Sequence, residues 1–554
     1  MFSRLLSSLP PFIHYLSLPP SFSPYFLLLV LFVVAAVVVV FLILSCPRPA
    51  RGSVPCLPRI PVLGSLPWLG GGLPPHLLFS QLAHRYGSLF ALYLGPHYTL
   101  VVNSHQHARE VLLQRGRDFA GRPSMVTTDL LTRGGKDIAF SDYTPLWKLH
   151  RRLVHNSFTL FGEGSGRLQD IVLSSVDSLC GELLSSGRRG FDPSPAVTGA
   201  VTNVVCTLVF GATYRHGDAE LQDVIRYNDG IVQTIARGGL VDIYPWMKVF
   251  PNKCLSKLKD CITVRDRLLS RKLEEHKASL SDGDPRDLLD ALLKGKTDSR
   301  PGQRSPGSEE ERITDDHVLM TAAEAFGAGV ETTSTTLLWI LAYLLHHPEV
   351  RMMSSCGRWM VIGYKWRARC APPLQVQERV QKELDEHVGS DRAVCVSDRG
   401  RLPYLDCVIN EGMRIRPVSP VLIPHTAMTD SSIGGHSVSR GTRVLVNMWS
   451  IHHDPRHWDN PDLFNPDRFL DDRGQRVTPS CFLPFGAGPR VCVGESLARL
   501  ELFLFLSSLL QRMSFTLPDG APPPNLQGRL GVVLQPLPYK VVVTPRAGWE
   551  GGAK

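Results

Sequence analysis

Hydrophobic and polar positions along this chain change character several times, and each change predicts an element. Residues Phe26 to Leu44 are uncharged and mostly aliphatic, a run long enough at 1.5 Å per residue to cross a hydrocarbon core. It exceeds the apolar core of a cleaved signal peptide, begins late, and ends at Ser45-Cys46-Pro47 without a small-residue cleavage pattern. A retained anchor over 26–44, preceded by an N-terminal segment 1–25, is therefore expected over a cleaved leader. Pro47, Pro49, Pro55, Pro58 and Pro61 block helix continuation and predict a stiff hinge over 45–62. Residues 63–554 then read as one large domain, mainly α with minor β sheets. Short strand-like runs such as Ser88 to Leu94 are scattered among longer helical ones. Residues 296 to 313 are rich in Pro, Gly and Ser and predict an exposed loop. Asp315 to Leu345 is apolar over a helical length, which predicts a buried central helix. Leu530 to Val543 predicts a β-hairpin turning around Pro536 to Pro538.

Composition adds compartment and partners. With 43% hydrophobic and 20% charged residues the chain is neither disordered nor a multi-span membrane protein. Arg48, Arg51 and Arg59 follow the apolar span and only Arg4 precedes it, so the body is expected on the cytosolic side. Twelve cysteines without paired spacing, in a reducing compartment, predict free and mostly buried thiols. The net charge of +9 suits anionic lipid or an acidic partner, although dispersed cations on solvated faces explain such a value more often. No basic run with interleaved aromatics points to nucleic acid.

The strongest chemical signal is Phe485-Gly486-Ala487-Gly488-Pro489-Arg490-Val491-Cys492-Val493-Gly494, followed by the helical run Glu495 to Arg512. A cysteine just before a helix N-terminus gains backbone N–H groups and a favourable dipole that support its thiolate. Gly486, Gly488 and Gly494 allow close backbone approach to the sulfur and to a flat ligand, and Arg490 can pair with an anionic group. A lone cysteine is usually an inert buried thiol. Cys492 stands inside a ten-residue pattern.

That segment resembles the haem-binding loop of the cytochrome P450 family, which implies haem b with Cys492 as iron ligand. Further motifs agree. Glu411-Gly412-Met413-Arg414 resembles the family's Glu-x-x-Arg helix, and Phe464-Asn465-Pro466-Asp467-Arg468-Phe469 its Arg-bearing meander. The resemblance implies a buried ion network of Glu411, Arg414 and Arg468 bracing the haem loop. Ala328-Gly329-Val330-Glu331-Thr332-Thr333 resembles the oxygen-activating segment, with small residues leaving room for dioxygen and Glu331 and Thr332 relaying protons. Taken alone, Thr332 would more often bond back to its own helix. Trp147 and Arg151, with Arg122 and His425, resemble haem-propionate contacts beside Arg490. The implied fold is that of the family, with an N-terminal transmembrane helix in the endoplasmic reticulum membrane and a cytosolic catalytic domain. Nucleotide fingerprints are absent: the Gly-x-Gly pairs at 327 and 486 lack a third glycine. Electrons are therefore expected from NADPH through a separate flavoprotein, NADPH–cytochrome P450 reductase.

From Arg59 onward the chain resembles the steroid 17-alpha-hydroxylase branch of that family. The stretches that carry this likeness are Val241 to Lys253, Phe326 to Thr333 and Arg416 to His425. The likeness implies a C21 steroid such as progesterone or pregnenolone, hydroxylated at carbon 17, with cleavage of a carbon–carbon bond, the 17,20 bond, as a further activity of the same site. It carries over Asn228 and, more remotely, Arg265 as partners of the A-ring oxygen. Ala139, Phe140, Ala328, Val418, Ile423, Val532 and Val533 become the apolar wall. Another steroid or xenobiotic hydroxylase of the same fold, or a non-catalytic haem protein, is the alternative. In the branch, cytochrome b5 promotes cleavage by docking on a basic proximal surface whose matching positions are Arg115, Arg399, Arg499 and Asn410, so one charge is missing here and cleavage is expected to be weak relative to hydroxylation.

Residues Arg351 to Val376 depart from the family, where His347-Pro348-Glu349-Val350 would run directly into Gln377-Glu378-Arg379-Val380. Val350-Arg351 and Leu374-Gln375 can be coded across splice-donor and splice-acceptor sequences, so a retained intron is the favoured origin. A tolerated surface loop is the alternative. The expectation is an exposed, poorly packed insert over 351–376, away from haem and substrate.

Overall fold

In the computed structural model, residues 28–30, 32–34, 36–37, 54–159, 166–186, 190–214, 218–237, 239–298, 312–346 and 373–549 are described. The helices used below are α1 (Pro145–Phe158), α2 (Arg167–Ser185), α3 (Ser194–Phe210), α4 (Ala219–Arg237), α5 (Lys253–Ser279), α6 (Asp315–Leu345), α7 (Pro373–His387), α8 (Pro403–Ile415) and α9 (Glu495–Arg512). The strands are β1 (Leu89–Leu94), β2 (His97–Val102), β3 (His425–Thr426), β4 (Arg443–Val446), β5 (Met513–Thr516), β6 (Arg529–Leu530), β7 (Leu534–Gln535) and β8 (Val542–Pro545).

Helix α6 has the bounds its apolar pattern predicts and organises the body. Thr314 and His317 form a capping box at its start, and Asp315 and Asp316 place negative charge in the first turn, where the helix dipole favours it. From Phe326 to Leu345 most of its side chains are buried, and α3, α5, α7, α8 and α9 all pack against it. It is the helix among the described residues long and apolar enough to cross a membrane, but 78% of its most apolar window is buried inside the protein, as a core element requires. The expected anchor lies mostly outside the described residues. Those described within it, 28–30, 32–34 and 36–37, are helical and exposed.

The main sheet has the order β1-β2-β4-β3, with β1–β2 an antiparallel hairpin, β2–β4 parallel and β3–β4 antiparallel. The second half of the proline-rich stretch joins it. Leu57 N–H donates to the Ala91 carbonyl (2.9 Å) and Ala91 N–H to the Pro55 carbonyl (2.7 Å). Val54 and Leu57 are buried. Of the expected hinge, residues 54–57 therefore belong to the body, because sheet pairing satisfies backbone groups that a free linker leaves to solvent.

Other expectations need correction. The C-terminal hairpin turns between β6 and β7 at residues 531–533, not at Pro536 to Pro538, and β8 pairs with β5 instead of locally. The expected loop over 296–313 begins later, since Lys296 to Asp298 still belong to the helix Leu288–Asp298. The expected insert overlaps α7: Pro373 to Val376 form its first turn, and Val376 is 1% exposed in the core. Residues 351–372 lie outside the described residues. Among the described cysteines, Cys180, Cys206, Cys407 and Cys481 are buried, while Cys56, Cys254, Cys261 and Cys395 are half-buried, so burial is less general than expected.

Candidate active site

The cysteine loop is built from turns that fold it toward α9. Cys492 N–H donates to the Phe485 carbonyl (3.0 Å) and Val491 N–H to that of Gly488 (3.1 Å). Leu483 N–H is held by the buried His452 ring (3.0 Å), which pins the start of the loop. Gly488 has a positive φ of 71°, and a Cβ there would collide with the Leu112 carbonyl. Its glycine thus serves the packing of a neighbouring helical turn, a different reason from the approach to a ligand that the motif suggests. Around Gly494 a Cβ would meet no protein atom. Cys492 is accessible although protein surrounds it closely, and that burial pushes its thiol up against the Gly494 N–H and Arg151, which pull it down. The helix terminus alone therefore does not make the thiolate. A thiol coordinated to a metal is deprotonated outright.

Above this loop five predicted side chains converge. Arg490 donates to the carbonyls of Ala120 (2.7 Å), Ile138 (3.1 Å) and Ser141 (2.8 Å), and its guanidinium lies 4.1 Å from the Trp147 ring centre. Arg122 donates to the carbonyls of Ala139 (2.7 Å), Ile423 (3.1 Å) and Pro424 (3.0 Å). Trp147 Nε1 donates to Ile138 O (2.9 Å), Arg151 to Val491 O, and the His425 ring meets the Phe119 carbonyl at 2.8 Å. Burial, with repulsion from Arg490, lowers Arg122 to about 9; burial lowers Arg490 to about 10 and His425 to about 3. Cations that repel each other in a buried place fit an anionic ligand, as the two propionates of haem are. The donor set therefore suits haem: Cys492 for iron, and Arg122, Trp147, Arg151, His425 and Arg490 for the carboxylates.

Glu411, Arg414 and Arg468 meet in a buried ion network. Arg414 meets both oxygens of Glu411 (2.6 and 2.8 Å), Arg468 Nε reaches Glu411 Oε1 (3.2 Å), and Arg414 also donates to the His452 carbonyl (2.8 Å). The Glu411 and Arg414 side chains are fully buried.

On α6, Thr332 Oγ1 donates to the Ala328 carbonyl (2.7 Å), the back-bond usual for a helical threonine. Glu331 is buried and turns elsewhere: its Oε1 accepts from Asn228 Nδ2 (3.2 Å) and its Oε2 from Gln535 Nε2 (3.0 Å). Burial and then the Asp229 carboxylate push Glu331 up, and the Gln535 bond opposes them. Asn228 is itself buried, not part of a solvated face. Arg265 is buried on α5, engaged with Asp266 (2.8 Å) and the Leu131 carbonyl (2.9 Å). A cavity between α6, α9 and the cysteine loop is lined by Thr332, Thr333, Thr336, Met413, Val418 and Phe485, among others. Of the expected apolar wall, Val418 lies here and Ala328 is exposed on α6, while Ala139 and Ile423 serve Arg122 through their carbonyls. Phe140 N–H is held by Asp137 (2.8 Å); Val533 is buried, and Val532 is 43% exposed.

Sequence reasoning passed over three side chains. Glu324 accepts from Ile138 N–H (2.8 Å) and is raised by burial and by Asp137, so it clamps the segment that carries Ala139 and Phe140. Its signal was an acid other than Glu331 inside the apolar helix α6. Glu501 is buried on α9, pushed up to about 8 by burial, with Thr333 at 3.5 Å. Gln535 had no local signal. Asn410, expected on a basic docking surface, is instead buried and accepts from Arg499 (3.0 Å).

The comparisons agree with this geometry. The family profile described as Cytochrome P450 matches residues 54–353 and 369–543, leaving 354–368 between the matched parts. The steroid 17-alpha-hydroxylase/17,20 lyase of Oryzias latipes is 50% identical over 506 residues, 90% of this chain and 93% of that protein. The one from Ictalurus punctatus is 49% identical over 498 residues, 90% and 91% of the two chains. A solved zebrafish cytochrome P450 structure with progesterone is 62% identical with a TM-score of 0.74, covering 86% of this chain and all of that one. One with abiraterone is 59% identical with a TM-score of 0.72. With a haem-suited cysteine loop, a buried Glu-Arg-Arg network and a profile spanning most of its length, the chain belongs to the cytochrome P450 family.

Proposed function

We propose that this protein is a haem-thiolate monooxygenase that hydroxylates C21 steroids such as progesterone and pregnenolone at carbon 17, with a weaker 17,20 cleavage. The observation that carries the reading is the pairing of the buried Asn228 amide with Glu331, which stands next to Thr332. Such a site suits a rigid apolar substrate with one polar end. Relatives half identical over nearly their whole length, and a neighbour solved with progesterone, support the same substrate class. When bound, haem would supply the iron that activates dioxygen. This chain's part would be to ligate it through Cys492, hold its carboxylates on the cation cluster, and keep Glu331 and Thr332 near the reacting face.

The reading extends to location and partners. Ile60, Val62, Leu63, Trp68 and Leu73 are exposed, as are Leu240, Trp246, Val249 and Phe250. Tyr244 Oη donates to the Val62 carbonyl (2.8 Å), joining the two groups into one apolar face. That face and the apolar run 26–44 support attachment to the endoplasmic reticulum membrane with the catalytic domain in the cytosol. Electrons would come from NADPH through the flavoprotein reductase. Arg115, Arg399 and Arg499 offer an acidic partner such as cytochrome b5 a docking surface one charge short at Asn410, which holds Arg499, and that shortfall is the ground for the weaker 17,20 cleavage.

Expression with reductase, followed by product identification from progesterone and pregnenolone, tests the reading. 17-Hydroxysteroid that disappears in Cys492→Ser supports it. Another oxidised position, or carbon monoxide binding without turnover, overturns it.

A further inference from the structure

Glu331 is held at both oxygens by neutral amides from two different parts of the chain, Asn228 on α4 and Gln535 on β7. The orientation of Gln535 follows from chemistry. Arg529 on β6 donates to its Oε1 (3.1 Å), and an arginine has only donors, so Nε2 must face Glu331. Asp229 repels Glu331 from the α4 side, and Arg529 draws on Asp229 in turn. Gly327 leaves room for the Asn228 side chain, since a Cβ there would stand 3.3 Å from Asn228 Oδ1.

We infer that Gln535 is a positioning residue for the reaction: it keeps Glu331 aligned from the β6–β7 hairpin when the polar end of a substrate draws on Asn228. The inference rests on the steroid-hydroxylase reading and deepens it. A 3-keto steroid has only acceptors at that end and must share the two Asn228 N–H donors with Glu331, turning the amide toward itself. A 3-hydroxy steroid can donate to Asn228 Oδ1 and leave the Glu331 bond intact. Without Gln535, Glu331 depends on Asn228 alone, and a keto substrate that turns the Asn228 amide toward itself loosens the last hold on the carboxyl.

The test compares the unaltered protein with Gln535→Leu, Asn228→Ala and the double variant, reconstituted with reductase. Hydroxysteroid formed per NADPH and the progesterone Kd from the steroid-induced Soret shift are measured. Gln535→Leu should lower product per NADPH at least about threefold with progesterone and less with pregnenolone, and weaken progesterone binding, because a bond to a buried carboxylate is lost. The double variant should lose more than the two singles combined, as groups sharing one partner do. Arg529→Gln, an exposed change that leaves the core alone, should move coupling in the same direction and serves if Gln535→Leu fails to bind haem. Unchanged coupling in the variant that does, equal loss with both steroids, or additive losses would overturn the role of Gln535. Absence of 17-hydroxysteroid from the unaltered protein would instead overturn the parent reading.

Discussion

Asn228 Nδ2 stands 3.2 Å from Glu331 Oε1, which ties the residue expected to meet the steroid's polar end to the acid beside Thr332. On the proposed function, binding and proton handling therefore share one amide. Asn228→Ala should weaken progesterone binding by roughly 1 kcal/mol, about fivefold in Kd. It should also lower coupling, because Glu331 keeps only Gln535. A spectral titration alongside NADPH and product accounting checks both effects, and a change in Kd alone would separate the two roles.

Thr332→Ala should leave the melting temperature nearly unchanged, since its hydroxyl bonds only within its own helix turn. The expected loss is in coupling, with more peroxide and less hydroxysteroid per NADPH as proton delivery fails. Unaltered coupling would leave the hydroxyl a purely helical feature.

Glu411→Ala would strand Arg414 and Arg468 in a region where the Glu411 and Arg414 side chains are fully buried. Breaking a buried pair by removing one partner costs about 3–5 kcal/mol. Because Arg414 also holds the His452 carbonyl and the His452 ring holds Leu483, the cysteine loop should loosen too. The reduced carbon monoxide spectrum should shift from the thiolate form or vanish.

Deleting 351–376 joins Val350 to Gln377 and so restores the Val-Gln pair that Val376 and Gln377 form at the start of α7. A valine then remains available for the buried position, and haem incorporation should be kept or improved. Removing one more residue is different. Gln377 accepts from Phe515 N–H (3.0 Å) and donates to its carbonyl (3.2 Å), so deletion of 351–377 should cost about 1–3 kcal/mol and be visible as a lower melting temperature.

His276 sits 2.8 Å from the Asp287 carboxylate; burial works against its protonation, but the bond to Asp287 outweighs it and raises the histidine above 6.5. A raised folded value means that the stabilisation is complete below the unfolded value and is lost as pH rises through the folded one. His276→Gln should therefore lower the melting temperature more at pH 6 than at pH 9. An equal loss at both would show that the pair acts only as a neutral hydrogen bond.

Periodicity and spacing along the chain determined the elements whose cause is local. The bounds of α6 followed from its apolar run, the turn of Cys492 into α9 from the glycines and the polar start of that helix, and the facing of Glu411 and Arg414 from i,i+3 spacing. Tertiary structure decided what lies across the chain. Arg122 and Arg490 rest on backbone carbonyls, which carry no side-chain signature to read. Val376 is core because it starts a helix packed on α6, although it stands at the edge of an insert. Asn410 lies in a buried helix face that turns toward Arg499. Gln535 reaches Glu331 across 204 positions of sequence only because the β6–β7 turn packs against α6. Local patterns record which face of an element is apolar; which polar groups meet depends on how those faces pack, and that is settled only when the chain closes on itself.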